Sequence, residues 1–221
     1  MFRDRADAGS ALVGALSERC AADDLTDALV LALPRGGVPV AAEIARAFDL
    51  ELDVLVVRKL GVPGHEELAM GAIASGEVVV RNQEVIDGLD ISERAFEGVL
   101  RRERAELLDR ERRFGKTATA PLLADRTIVV VDDGVATGAT MRAALASLRT
   151  SRAGRVIIAL PVAPTDTAAQ LVDIADRLVC LHTPDPFGAV GVAYDDFTQT
   201  SDGEVRRLLH EARDRASRNG S

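Results

Sequence analysis

Short, uninterrupted apolar runs recur at residues 28–33, 53–57, 128–131, 155–160 and 177–181, bounded by Gly, Pro or charged positions. Residues 4–18, 38–48, 139–150 and 166–175 instead carry apolar residues at the three- and four-residue spacing of amphipathic helices. Continuous apolar runs alternating with such helices predict strands buried on both faces, hence an α/β fold with a parallel sheet flanked by helices. Residues 60–69 are polar, contain Gly and Pro, and predict a loop; 77–81 predict another short strand. Residues 91–114 predict one long helix, with Phe96, Val99, Leu100, Leu107 and Phe114 as its apolar stripe. Asp90 and Glu93 suit a capping-box-like start and Gly115 a stop. The run RRERAELLDRERR within it mixes both signs and predicts a solvated helix face.

Composition narrows the function. At 221 residues the chain suits one domain with a substantial core. Its net charge of −8 argues against a general nucleic-acid binder, which needs clustered Lys and Arg for phosphates. Cys20 and Cys180 lie far apart with no Cys/His cluster, so reduced thiols are expected rather than a zinc site. The N-terminal stretch lacks a long apolar segment and no run reaches membrane-spanning length, so a cytoplasmic protein without signal peptide or membrane contact is expected.

The chemistry concentrates in IVVVDDGVATGAT, residues 128–140. A buried strand there ends in Asp132 and Asp133, and Ala136, Thr137, Gly138, Ala139 and Thr140 form a small-residue turn into a helix. In open parallel sheets, ligands sit outside the carboxyl ends of strands at the switch point of the topology. Amides at a helix N-terminus hold a phosphate dianion, and small side chains let it approach. Two carboxylates nearby suit sugar hydroxyls, directly or through a metal. Strand, acid pair and phosphate cradle together describe a ribose-5-phosphate site; an ordinary Gly-rich turn after a strand is the plainer alternative.

The stretch resembles the phosphoribosyl pyrophosphate (PRPP) signature of type I phosphoribosyltransferases. That resemblance implies a single domain with its core at about 28–181, a helical insertion at about 82–125 and a small C-terminal hood at about 182–200. It implies that Asp132 and Asp133 engage the ribose hydroxyls, that residues 136–140 hold the 5′-phosphate, and that Mg²⁺ is carried by PRPP and met by the acid pair only indirectly. Pro34, Arg35, Gly36 and Gly37 are similar to the family's pyrophosphate loop, where a cis peptide is expected at Pro34–Arg35. Residues 58–67 resemble the lid of adenine phosphoribosyltransferases, with Lys59 as the catalytic cation; His65 reads more simply as a solvated loop histidine.

In the hood, Phe187 or Tyr194 could stack on a base, with Asp185 or Asp195 meeting its edge, although core packing accounts for either ring equally well. Ala136 stands where hypoxanthine–guanine enzymes place an acid, and no lysine lies near Leu160, which disfavours a 6-oxopurine acceptor. The activity implied is transfer of the phosphoribosyl group from PRPP to a nitrogen base or other nucleophile, by Arg35 and Lys59, with release of pyrophosphate. A non-catalytic PRPP or nucleotide sensor is the competing class. The resemblance leaves a homodimer open.

Overall fold

A computed structural model of the chain describes residues 1–114 and 123–219. A helix α1 (Arg5–Arg19) and a single turn α2 (Ala22–Leu25) precede β1 (Leu29–Ala32), α3 (Gly37–Ala47) and β2 (Glu51–Val54). Three further strands, β3 (Val57–Val62), β4 (His65–Ala74) and β5 (Val78–Arg81), lead into α4 (Gln83–Gly88) and the long α5 (Glu93–Phe114). The chain then runs through β6 (Ile128–Val131), α6 (Ala139–Thr150), β7 (Val156–Val162), α7 (Thr165–Val172), β8 (Arg177–His182) and α8 (Asp202–Asn219).

The core is a five-stranded, wholly parallel sheet in the order β2-β1-β6-β7-β8. Every residue of β1, β6 and β7 is buried, which is why these strands read as continuous apolar runs. Successive side chains still part to opposite faces. Leu29, Leu31, Ile128, Val130 and Ile158 pack with Met141 and Leu145 of α6, whereas Val30, Val129, Val131 and Ile157 pack with α1, α3 and α8. The sheet reverses its winding between β1 and β6, which pair from Leu29–Ile128 to Ala32–Val131. The loops leaving both strands therefore emerge side by side.

The expected loop at 60–69 is corrected. These residues form most of a β3–β4 hairpin, closed at Gly64 with φ of 80°, in a separate antiparallel sheet β3-β4-β5. The expected strand at 77–81 belongs to this sheet as β5. The outer half of the hairpin is solvated, with residues 65–68 exposed, so it lacks the alternation that marks a half-buried strand. The long helix starts three residues after Asp90. Ser92 Oγ accepts from Ala95 N at 3.3 Å and caps it, while Asp90 has φ of 48° and Glu93 pairs with Arg81 instead. Its expected stop, Gly115, lies outside the described residues. The α5 stripe of Phe96, Val99, Leu100 and Leu107 is buried in the main core.

Asp53, on the edge strand β2, carries a charge in an unfavourable place. Burial pushes its carboxyl up to about 6, against the Val54 amide at 2.8 Å and Arg213 at 3.8 Å. A raised carboxyl penalises the fold above its folded pKa, and the penalty is gone below the ordinary carboxylate range near 4. Asp53→Asn is therefore expected to stabilise the protein at pH 8 by about 1–3 kcal/mol. The gain over wild type should fade as pH drops through 6 toward 4. Paired thermal melts across that range check it, and a gain that grows toward acid would refute it.

Candidate active site

The site forms where β1 and β6 end. Leu33 N continues the ladder to Val131 O at 2.8 Å, the chain turns through a cis Pro34–Arg35 bond, and Gly37 opens α3. Both glycines are dictated by the neighbouring loop. A Cβ on Gly36 would fall on the Asp133 carboxylate, and one on Gly37 would lie 2.6 Å from Val131 O and 2.9 Å from Asp132 Cα. The turn thus packs directly on the acid pair.

Asp132 and Asp133 are half-buried at the end of β6, linked by Asp133 N donating to Asp132 Oδ1 at 2.9 Å. Burial raises both carboxyls. The Asp132 carboxyl rises well above the usual range, with the negative Asp133 adding to the effect, whereas Arg5 opposes the rise at Asp133. The Arg5 contact is short and shielded: Nε donates to Asp133 Oδ2 at 2.7 Å and Nη1 to Thr198 O at 2.7 Å. The guanidinium lies 4.0 Å from the centre of the Phe197 ring.

Beyond the acids, Val135 N donates to Val162 O, and Gly138 adopts φ of 70°, the left-handed region glycine tolerates best. Thr167 Oγ1 donates to Ala136 O at 2.9 Å and Ala139 N to Thr137 Oγ1 at 3.4 Å, shaping the turn. Ala136, Thr137, Ala139 and Thr140 are exposed, so the turn and the start of the twelve-residue α6 face solvent. Amides exposed at a helix N-terminus in this way can hold an anion.

A cavity of about 410 Å³ lies between Arg5, Arg35, Gly36, Asp133, Phe197 and Thr200. Arg35 reaches Asp202 at the start of α8, Nη1 to Oδ1 at 3.3 Å. Sequence reasoning missed Arg5: one arginine in an N-terminal helix gives no hint of a carboxylate 128 positions away.

The hood residues part company. Tyr194 is 5% exposed, stacks on Phe197 at 5.1 Å, and its hydroxyl donates to Asp133 O at 2.6 Å. Its ring is enclosed in packing, so stacking on a base is not available to it here, and the residue braces the acid pair instead. Phe187 is half-buried and lines a second cavity of about 480 Å³ with Val162, His182, Pro186 and Val192. Among the described residues no carboxylate or ammonium side chain lines that cavity; Asp185 is exposed beside it, before a cis bond to Pro186.

On the hairpin, Lys59 Nζ donates to Glu67 O at 3.1 Å and lies 3.3 Å from Glu67 Oε2. Arg58, one position earlier, faces α5 and grips Glu103 at 2.6 Å. Burial would raise the Glu103 carboxyl, but Arg58 and Arg102 outweigh it and hold it below the usual range. Arg58 is thus turned toward α5, and Lys59 is tied across the hairpin. His65 is exposed.

Among the described residues no group of three or more His, Cys, Asp or Glu side chains could hold a metal ion. Among the described residues Asp132 has no ion-pair partner, and two adjacent carboxyls that burial raises would suit a Mg²⁺ brought in by a ligand's own oxygens. Among the described residues no helix is long and apolar enough to cross a membrane.

The chain is thus an α/β protein whose parallel sheet carries an acid pair, a glycine turn and the start of a helix together at its switch point. The phosphoribosyl transferase domain model matches residues 5–196, and the chain belongs to that family. It is 46% identical over 212 residues to a Mycobacterium tuberculosis protein whose name gives phosphoribosyl transferase as a provisional description. The alignment covers 96% of this chain and 47% of that protein, so the chain spans about half the length of the curated relatives it matches. The crystal structure of TT1426 from Thermus thermophilus superposes with a TM-score of 0.84 at 39% identity, covering 96% of this chain and 98% of that one.

Proposed function

We propose that the chain transfers the 5-phosphoribosyl group of PRPP to a nitrogen base or related nucleophile. The acceptor nitrogen attacks C1′, the C1′–oxygen bond breaks, pyrophosphate leaves with the electron pair, and the acceptor's N–H proton passes to solvent. The observation that carries this reading is the packing of Gly36 on Asp133, which sets the PRGG turn and the acid pair against one another at one switch point. Asp132 and Asp133 receive the ribose hydroxyls, Ala136, Thr137, Gly138, Ala139 and Thr140 the 5′-phosphate, and Arg35, Gly36 and Gly37 the pyrophosphate. Mg²⁺ bound to PRPP would neutralise pyrophosphate charge. Catalysis is chiefly positioning and electrostatic stabilisation.

The acceptor enters against the hood, where the cavity beside Phe187 offers apolar walls and Asp185 a polar rim. Lys59 is the lid cation, exchanging Glu67 for the departing pyrophosphate. Lys59→Ala should slow turnover by about 10–100-fold while leaving PRPP affinity nearly unchanged, since the lid acts mainly as pyrophosphate departs. The test is a PRPP-dependent screen of purine, pyrimidine and other nitrogen acceptors, read as pyrophosphate release. Release with at least one acceptor is expected. Tight PRPP binding with no turnover on any acceptor would replace the enzyme reading by that of a sensor.

A further inference from the structure

The first five residues reach both cavities described above. Met1 lines the hood cavity with His182 and Ala193, and Arg5 lines the cavity beside the acid pair with Arg35, Gly36 and Asp133. Between them the segment is stitched to the hood. Phe2 N donates to Ala193 O and Asp195 N to Phe2 O, both at 2.8 Å, and Asp196 N donates to Arg3 O at 2.9 Å. The Phe2 ring is buried, with the Tyr194 and His182 rings 5.6 and 5.3 Å from its centre.

Arg5 opens α1, and Asp4 caps that helix by accepting from Asp7 N at 2.8 Å. The helix lies close on α3: a Cβ on Gly9 would come within 2.6 Å of Val40 O. Because α3 begins at Gly37, the guanidinium is presented from an element packed on the helix that the PRGG turn opens. It grips Asp133 Oδ2 at 2.7 Å, the oxygen on which a Cβ of Gly36 would fall. Arg5 and the turn thus hold one carboxylate oxygen from two sides. An ionised carboxylate has about four acceptor positions, so the one Arg5 takes leaves others for a sugar hydroxyl. The bond from Arg5 to Thr198 O and the Phe197 ring beside the guanidinium fasten this grip to the hood.

We propose that Arg5 is a positioning residue of the donor site: it holds the Asp133 carboxylate in the orientation that receives a ribose hydroxyl and ties that orientation to the hood. This rests on the donor reading above and gives the N-terminal segment a role in it. A carboxylate fixed before the ligand arrives loses little rotamer freedom on binding, which is the gain from preorganisation. The PRGG turn keeps its own ties, Leu33 N to Val131 O and Gly37 N to Leu33 O, so its hold on pyrophosphate does not pass through Arg5.

Calorimetric titration with ribose 5-phosphate, and separately with Mg²⁺-pyrophosphate, tests the proposal on wild type, Arg5→Gln and Arg5→Lys. Arg5→Gln is expected to weaken ribose 5-phosphate about tenfold and leave pyrophosphate within about threefold, with Arg5→Lys in between for the sugar. With PRPP and Mg²⁺, adding Arg5→Gln to Asp133→Asn should cost less than about twofold more, because Arg5 acts through Asp133. Should Arg5→Gln not fold, the Arg5→Lys comparison decides alone. Equal weakening of both ligands, or an undiminished loss in the Asp133→Asn background, would reduce Arg5 to a structural role and overturn the proposal. Ribose 5-phosphate bound as in wild type, or more tightly, would overturn it too, while the donor reading stands. Wild-type protein that binds neither ligand overturns the donor reading, and the proposal with it.

Discussion

Replacing Asp132 and Asp133 together by Asn is expected to weaken PRPP binding by about 10²–10⁴-fold while the protein melts at the same or a higher temperature at pH 8. Each carboxylate offers charge-assisted hydrogen bonds to a ribose hydroxyl, of about 1.5–3 kcal/mol apiece, and Asn is a weaker acceptor. Stability follows the opposite logic. Asp132 is raised by burial and by Asp133, so the free protein is penalised above its folded pKa. The benefit of Asn is therefore largest at alkaline pH and vanishes toward pH 4.

The single variants divide this effect. Asp132→Asn should stabilise. Asp133→Asn should cost about 1–3 kcal/mol, because it strips the partner from an Arg5 side chain only 10% exposed. Calorimetry with PRPP and Mg²⁺ beside thermal melts measures both quantities. A double variant that binds PRPP like wild type would remove the ribose role of the pair.

Gly36→Ala should be nearly as damaging through one methyl group. Gly36 has φ of −62° and ψ of −34°, so alanine is conformationally welcome there and the effect is purely one of space. That space is occupied by the Asp133 carboxylate, which Arg5 holds in place. Either Asp133 turns away from Arg5 or the PRGG turn retreats from the sheet. Stability should fall by about 1–3 kcal/mol and PRPP affinity by at least about tenfold. Adding Asp133→Gly should recover part of the stability, a coupling that a double-mutant cycle measures. Gly36→Ala with wild-type melting and binding would mean the two loops are not packed as described.

How far these features could be read from sequence depends on what each residue's surroundings impose. The strands β1, β6 and β7 were legible because burial on both faces leaves an unbroken apolar run. The PRGG and DDGVATGAT stretches were legible because an anion site needs small residues and acids at fixed local spacing. The hairpin was not, since its solvated half at 65–68 has no face to protect and looks like a loop. Phe187 and Tyr194 were ambiguous, as an aromatic ring serves packing and stacking equally. Arg5 was hidden for a different reason. Its significance lies in a contact made across the fold with Asp133, which no local pattern encodes.

The most direct test of the central claim is a crystal structure of the protein grown with PRPP and Mg²⁺. The account predicts ribose hydroxyls on Asp132 and Asp133, the 5′-phosphate on the turn from Ala136 to Thr140, and pyrophosphate against Arg35, Gly36 and Gly37. PRPP bound elsewhere, or an empty switch point under saturating ligand, would contradict it.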